Sequence, residues 1–451
     1  MFYRNALSLL TEWKLKKDRK PLIIRGARQV GKTTVVEMFS KEFSQYIYLN
    51  LEIPTEKKLF DDYESVEKTV EAIFFHKEKH LNDTDTLLFI DEIQNSPKAV
   101  SMFRYFYEDY KNIFVIGAGS LLEVSTQYKS SFPVGRVEYL FLHPFSFHEF
   151  LAASDEKMLL KVLNEIPFPD YAHQKLMERF RKYMLIGGMP EIVKKYLETK
   201  DILSLNSIFE SLLFSYLDDV EKYAKNEKQM HVLRFIMRQS FAEAGGRIKF
   251  QNFGGSGYSH REISEGMRML EKAMLIRLLH PTLNVKPPLT NDFRKSPKLF
   301  LLDTGMVNYF AGLQKEVFGS KELTDVYEGK IAEHVVAQEL LAYSKSLIHT
   351  PTFWVREKRQ SSAEIDFVYQ YENMLIPIEV KAGKTGKLRS LLQYMDLAPH
   401  NFAVRIFSGK LSLENAKTIN GKNFRLLNLP FYLIGKLEEY IDWAMKSKTN
   451  F

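Results

Sequence analysis

Short apolar runs and turn-rich gaps alternate through the first third of the chain. "PLII" at Pro21–Ile24, the four residues Leu87–Ile90 and "NIFVIGAGS" from Asn112 carry almost no polar interruption. Strands buried on both faces read this way, so a parallel sheet covered by helices is expected. Between the first two runs, "TTVVEMFSKEF" puts Val35, Val36 and Phe39 on one side of a helix. From about Ala152 to Asn226 the period changes. "HEFLAASDEKMLLKVL", "HQKLMERFRKYMLIGG" and "SLNSIFESLLFSYLDDVEKY" repeat apolar residues every three or four positions, which predicts helices with a packed interior.

Two further helices are expected from "MHVLRFIMRQSFAEAGG" and "SHREISEGMRMLEKAMLIRLLHP". In the second, Ser259 is placed to cap, and Ile263, Met267, Leu270 and Met274 fall on one face. "LIRLLHP" then begins an extended wing, so the pair has the outline of a winged helix-turn-helix. Arg261 and Arg268 would meet phosphates if that helix entered a groove; a packing module that binds no DNA is the favoured alternative. "VKPPLTNDFRKSPK" is proline-rich and charged, and reads as a linker or a long wing loop. No internal repeat or low-complexity tract interrupts the chain.

The last third holds "AEIDFVYQYENMLIPIEVKAG", two apolar strands around Glu372-Asn373. With that pair as the turn, Tyr371 faces Met374, Asp366 faces Glu379 and Glu364 faces Lys381. Strict alternation then gathers all four charged residues on one face and sets Ile365 and Phe367 on the other. Burying such charges without purpose is costly. Asp366 and Glu379 would repel unless a cation lay between them, and Mg²⁺ with its oxygen ligands suits that place. In the preceding helix, "EGKIAEHVVAQELLAY", Glu333 sits on the apolar stripe with Ala332, Val336, Ala337 and Leu340. Metal ligation is one reason for an acid there. A solvated, salt-bridged face remains the plain alternative.

Composition narrows the setting. The 451 residues suggest about three domains. Apolar residues make up 45%, enough for several cores. The chain has no cysteine, which excludes disulfides and thiolate chemistry and fits a reducing compartment. Neither a signal peptide nor a run of roughly 18 apolar residues is evident, so a cytoplasmic protein that does not cross a membrane is expected. The formal charge of +7 tolerates nucleic acid as a partner without requiring it.

The most specific pattern follows "PLII". Gly26-Ala27-Arg28-Gln29-Val30-Gly31-Lys32-Thr33 fits G-x-x-x-x-G-K-[ST], between a strand and a helix. Gly26 to Thr34 would wrap a nucleotide's phosphates, with Thr34 at the helix start. Lys32 would reach the β- and γ-phosphates of ATP, and Thr33 would hold Mg²⁺. Asp91, closing the second strand, would complete the Mg²⁺ shell, and Glu92 would polarise the attacking water. Ser120, at the end of the third strand, could sense the γ-phosphate or cap the next helix; both readings are open.

These residues, with "LLFIDEIQ", "IGAGSLLE", "GRVEYLFLHPFSFHEFL" and "GGMPEIV", resemble a family of AAA-like P-loop ATPases of bacteria and archaea, related to archaeal-type and signal-transduction ATPases. The resemblance makes Arg136 of Gly135-Arg136 a γ-phosphate contact, against a plain surface arginine. It places Gly188 and Pro190 of "GGMP" at the base or sugar, against a helix stop. Asp366, Glu379 and Lys381 resemble the D…E-x-K arrangement of the PD-(D/E)XK nuclease superfamily, though Ile365 rather than proline precedes Asp366. That resemblance implies Glu333, Asp366 and Glu379 on a metal and Lys381 orienting a water or steadying charge on a phosphate. It leaves Gln393 as a phosphate or substrate contact, with Lys384, Lys387 and Arg389 as a basic rim.

The expected architecture is α/β and multidomain: a P-loop parallel-sheet core over 1–150, a helical lid over 151–226, a winged helix and linker over 227–297, and a C-terminal α/β nuclease-like domain over 298–451. The leading functional expectation is a Mg²⁺-dependent ATP-hydrolysing switch that controls a DNA-interacting, nuclease-like module. Two alternatives differ in class: an ATP-driven signalling or interaction protein whose nuclease-like domain is not catalytic, and a DNA-binding regulator acting through the winged helix. A homo-oligomer is compatible with each.

Overall fold

A computed structural model describes the chain except residues 64, 82–84, 120–132, 134, 223, 313–328, 345–350, 359–360, 384–387 and 448–451. It divides into two compact units. The first comprises Met1–His143, Phe214–Lys225 and Arg268–Leu275, and the second Pro144–Leu213, Asn226–Met267 and Ile276–Phe451. These limits differ from 150, 226 and 297. The helices of 144–213 belong with the C-terminal part, and a stretch of the expected lid belongs with the P-loop.

The first unit is built on five parallel strands: β1 (Leu22–Arg25), β2 (Gln45–Asn50), β3 (Thr86–Asp91), β4 (Ile113–Gly119) and β5 (Glu138–Phe141). Their order is β2-β3-β4-β1-β5. Every residue of β1 and β3 is buried, as the apolar runs Leu22–Ile24 and Leu87–Ile90 within them require. On one side Ile23, Leu49, Ile90, Phe103 and Phe106 share a core. Elsewhere in the unit, Trp13 lies against Phe39 and Phe114 with ring centroids 6.4 and 6.0 Å apart. Val35, Val36 and Phe39 bury the inner face of the helix Lys32–Phe39, as the spacing predicts. Because all five strands run the same way, Arg25, Asp91 and Gly119 end on one edge of the sheet. β4 lies between β1 and β3, so the third strand ends beside the other two, as expected.

The second unit contains a two-stranded sheet, β6 (Ile276–Leu279) against β8 (Lys298–Leu301), and a seven-stranded mixed sheet. The larger sheet includes β7 (Pro281–Thr282), β9 (Thr352–Lys358), β10 (Ser361–Tyr371), β11 (Met374–Lys381), β12 (Phe402–Phe407), β13 (Ser412–Lys417) and β14 (Asn423–Pro430). Its order is β13-β14-β12-β11-β10-β9-β7. The helix Gly329–Tyr343 precedes the antiparallel meander β9-β10-β11. The helix Arg389–Leu397 follows it and leads into β12, parallel to β11. Trp354, Ile365, Val368, Leu391 and Tyr394 form one core of this sheet, and Val285 and Leu289 pack against it. The stretch expected as a linker is therefore anchored, and its last residue, Lys298, begins a buried strand.

The helices Glu227–Ala242 and His260–Lys272 form where expected, and Ser259 and Glu262 cap the second reciprocally. Met274 departs from the expected face: it lies beyond the helix end with φ of +60°.

A buried polar knot ties the second unit together. Tyr183 Oη lies 2.6 Å from Glu339 Oε1 and 2.8 Å from the Phe145 carbonyl, and it accepts from Gln338 Nε2 at 2.9 Å. Phe147 N–H donates to Glu339 Oε1 at 3.0 Å. Burial pushes the Glu339 carboxyl up to about 7. Asp303, pushed up to about 6 by burial, accepts from Gly188 N–H at 2.6 Å. His334 is fully buried, accepts from Leu301 N–H at 2.9 Å, and is pulled down to about 3 by burial. These polar contacts give "GGMP" a packing role. Gly187 has φ of +78°, and a Cβ there would lie 2.0 Å from Asp303 Oδ1. Pro190 opens the helix Pro190–Thr199, where a missing N–H costs nothing.

Candidate functional site

In the first unit the loop after β1 turns through Gln29 at φ +63° and Gly31 at φ +93° before the helix begins at Lys32. Such a run of left-handed residues turns backbone N–H groups inward toward an anion. Lys32 Nζ folds back onto the carbonyls of Gly26 and Ala27 at 3.1 and 3.0 Å. Burial pulls its ammonium below the ordinary range, against the raising influence of Glu92, Asp91 and Asp219. Thr33 Oγ1 donates to Asp91 Oδ2 at 2.6 Å. A hydroxyl and a carboxylate in contact are oxygen donors of the kind Mg²⁺ takes, so these two residues fit the ion.

Asp91 closes β3 and also accepts from Glu92 N–H at 3.0 Å. Glu92 adopts a left-handed backbone, φ +51°, which turns its side chain away from the strand direction. Its carboxylate accepts from the Gln94 side chain. Burial raises both Asp91 and Glu92. Arg28, in the middle of the loop, donates from Nη1 to Asp219 Oδ1 at 3.1 Å, and Tyr216 Oη donates to the Arg28 carbonyl at 3.2 Å. That latch joins residues 188 and more positions apart in sequence, and nothing local signals it.

One expectation about this site needs revision. Arg136 donates from Nε to Glu108 at 2.6 Å. It precedes β5, and Glu138 stands level with Leu22 at the start of β1, whereas the P-loop follows Arg25 at the other end. Arg136 therefore lies at the amino edge of the sheet and cannot reach a phosphate in its own P-loop. Ser120 lies outside the described residues, as do Lys384 and Lys387 of the expected basic rim.

In the second unit the hairpin has the expected register: Tyr371 pairs with Met374 and Phe367 with Ile378. Alternation fails further along. β10 carries a bulge against β9 between Ile365 and Val368. Ile365 and Val368 consequently share one core, while Phe367 meets Phe300 at 6.1 Å. The bulge also re-aims the charges. Asp366 Oδ2 accepts from Val380 N–H at 2.7 Å. Lys381 turns to Glu379 at 2.6 Å instead of facing Glu364.

Glu364 finds a different cation. Lys298 Nζ lies 2.8 Å from Glu364, 2.7 Å from Glu333 and 3.7 Å from Asp366. Its side chain is only 3% exposed. Burial alone would lower its ammonium, but Glu333, Asp366 and Glu364 together raise it above the ordinary lysine range. Arg247 approaches Glu364 at 3.6 Å. Burial, then Asp366, push both Glu333 and Glu379 upward. Glu379 Oε2 is buried without a hydrogen-bond partner.

Glu333, Asp366, Glu379 and Lys381 are thus drawn into one cluster, but its centre is an ammonium. Among the described residues no three His, Cys, Asp or Glu side chains are arranged to hold a metal ion. As it stands, the cluster does not fit the divalent ion expected for Glu333, Asp366 and Glu379. Lys298 is the residue that sequence reasoning missed. Its signal was a lysine set directly before the apolar run Leu299–Leu302. Gln393 Oε1, by contrast, is buried without a partner.

Comparisons with known proteins bear on the three parts of the chain separately. Residues 18–151 match the AAA domain family. Residues 177–317 match a domain of unknown function (DUF8612), and 328–432 match another (DUF4143). No curated protein matches the chain. Among solved structures, the Walker-type ATPase of Pyrococcus abyssi is similar at 15% identity and a TM-score of 0.44, over 69% of this chain and 96% of that one. RuvB of Thermotoga maritima is similar at 19% identity and a TM-score of 0.29, over 60% and 87%. The Orc1 protein of Aeropyrum pernix in complex with DNA is similar at 13% identity and a TM-score of 0.26, over 69% and 93%. Among the described residues no helix is long and apolar enough to cross a membrane. The AAA match falls on the parallel sheet, the phosphate loop and Asp91-Glu92 together, and residues 18–151 are an AAA-type P-loop ATPase domain.

Proposed function

We propose that the chain is an ATP-hydrolysing switch whose P-loop domain governs a C-terminal, nuclease-like module that interacts with nucleic acid. The observation that carries the ATPase half is the Thr33–Asp91 contact at 2.6 Å beside Lys32 and Glu92. Gly26 to Thr34 wrap the phosphates, and Lys32 leaves the Gly26 and Ala27 carbonyls to meet them. Thr33 and Asp91 would hold Mg²⁺, which would supply positive charge against the phosphates. Glu92, raised above the ordinary carboxylate range by burial, accepts a proton from the attacking water.

The nuclease-like half is supported by the order helix, three-stranded meander, helix, parallel strand, which brings Glu333, Asp366, Glu379 and Lys381 together. On this reading Glu333, Asp366 and Glu379 would hold a divalent cation only once the Lys298 ammonium had left them, and Lys381 would steady charge developing on a phosphodiester. A second reading is favoured by Lys298: with its ammonium among the acids, the module grips a partner without cleaving it. The helices Glu227–Ala242 and His260–Lys272 with the β6/β8 pair support a winged helix that contributes to nucleic-acid binding. Incubation of the purified protein with plasmid, linear and single-stranded DNA, with and without Mg²⁺ and ATP, tests the proposal. Metal-dependent nicking that ATP modulates supports a switch over a nuclease. ATP turnover with no DNA cleavage under any condition leaves the binding module and rejects the nuclease.

A further inference from the structure

We infer that Lys298 is a resident cation of the C-terminal acid cluster, and that its ammonium and a divalent metal ion exclude one another there. The inference rests on reading Asp366 and Glu379 as metal-seeking residues, and adds how that site is kept closed.

Charge balance is the first argument. Glu333, Glu364, Asp366 and Glu379 supply four carboxylates. Lys298, Lys381 and Arg247 are the cations that the described ion pairs set against them. With all four ionised one negative charge is left over, and the buried, unpartnered Glu379 Oε2 sits in the same cluster. The cluster therefore has room for positive charge, but not for two more units of it while Lys298 stays.

Geometry is the second argument. Lys298 Nζ contacts the Glu333 and Glu364 oxygens at 2.7 and 2.8 Å and approaches Asp366 at 3.7 Å. A divalent ion would need those same oxygens of Glu333 and Asp366, at about 2.0–2.6 Å. Two cations sharing carboxylates a few ångströms apart in a buried site repel strongly.

The origin of Lys298 is the third argument. It opens β8, and its side chain is buried beside the Phe353 ring, with Nζ 5.2 Å from the centroid. A buried lysine is rare unless paired. Here the residue belongs to a buried strand and its ammonium lies over the ring, so the charge is placed by the fold and not by a flexible surface side chain. Opening the site to metal requires β8 to shift or the lysine to withdraw, which makes this strand the element that governs access.

The test is Mn²⁺ titration by calorimetry of the full-length protein without nucleotide. The C-terminal site is defined as the binding that Asp366→Asn removes. Lys298→Met is expected to bind Mn²⁺ there at least about tenfold more tightly than wild type, since it frees two carboxylates and removes the competing charge. Lys298→Arg keeps the charge and is expected to bind no better than wild type. If Lys298→Met folds poorly, the double variant Lys298→Gln/Glu364→Gln, with one acid fewer, takes its place. Equal Asp366-dependent binding by wild type and Lys298→Met overturns the inference and leaves the metal reading standing. Absence of Asp366-dependent binding in every variant overturns the metal reading, and this inference with it.

Discussion

Glu339 gives a direct test of how the second unit is held together. Its Oε1 accepts from Phe147 N–H and lies 2.6 Å from Tyr183 Oη. The tyrosine hydroxyl has one proton but two acceptors in reach, Glu339 and the Phe145 carbonyl. A protonated Glu339 resolves the conflict, because it donates to Tyr183 and frees that hydroxyl to donate to Phe145. Its carboxyl is raised from an ordinary 4.5 to about 7, chiefly by burial. Between those two values the folded chain holds a proton that the unfolded chain has released. Stability from this group is therefore complete below pH 4.5, is lost as pH rises toward 7, and is level above it. At about 1.4 kcal/mol for each tenfold change in proton affinity, the loss is about 3 kcal/mol. Glu339→Gln cannot ionise and lacks this slope. It leaves one acceptor unpaired, which costs about 1 kcal/mol at every pH. Urea unfolding of both proteins from pH 4 to 8 should show the variant weaker in acid and stronger above pH 7. Contributions from Asp303 and His334 are common to both and cancel in the difference. Parallel profiles would refute the assignment of Glu339 as a buried neutral acid.

Other outcomes follow from the same geometry. Gly187→Ala must hold a side chain at φ +78° and 2.0 Å from Asp303 Oδ1. Backbone strain and overpacking each cost about 1–3 kcal/mol, so its melting temperature should fall clearly below that of Gly188's neighbour variant Met189→Leu. Asp366→Asn should abolish any Mg²⁺-dependent plasmid nicking while ATP turnover is unchanged, and loss of both activities together would show the assignment of two separate sites to be wrong. Limited proteolysis should spare the stretch around Val285 and Leu289, which packs against the C-terminal core, and cut first at the exposed Phe293 and Arg294; cleavage at Lys286 as readily as at Arg294 would contradict that packing.

The P-loop's conformation was legible because it is local: a glycine-bearing stretch directly after a buried strand and running into a helix specifies the turn. β3 with Asp91 and Glu92 was legible for the same reason. Arg136 was misplaced because its position depends on β1 lying beside β5, a pairing that no short stretch reveals. The hairpin turn at Glu372-Asn373 and its register could be read from turn chemistry. The bulge at Ile365/Val368 could not, since it is imposed by β9, and it undid the alternation on which the charge partners were assigned. Lys298 was hidden by context. Its prolines and charged neighbours from Val285 to Pro297 suggested a loop, while its three acidic partners lie 35 and more residues away.

The central claim is that the first unit hydrolyses ATP through Glu92. Steady-state ATP turnover with Mg²⁺, measured beside binding of a fluorescent ATP analogue, tests it most directly in wild type and Glu92→Gln. The account predicts that the variant binds the analogue as wild type does and turns ATP over about 10²-fold more slowly or worse. Equal turnover by the two proteins would contradict it.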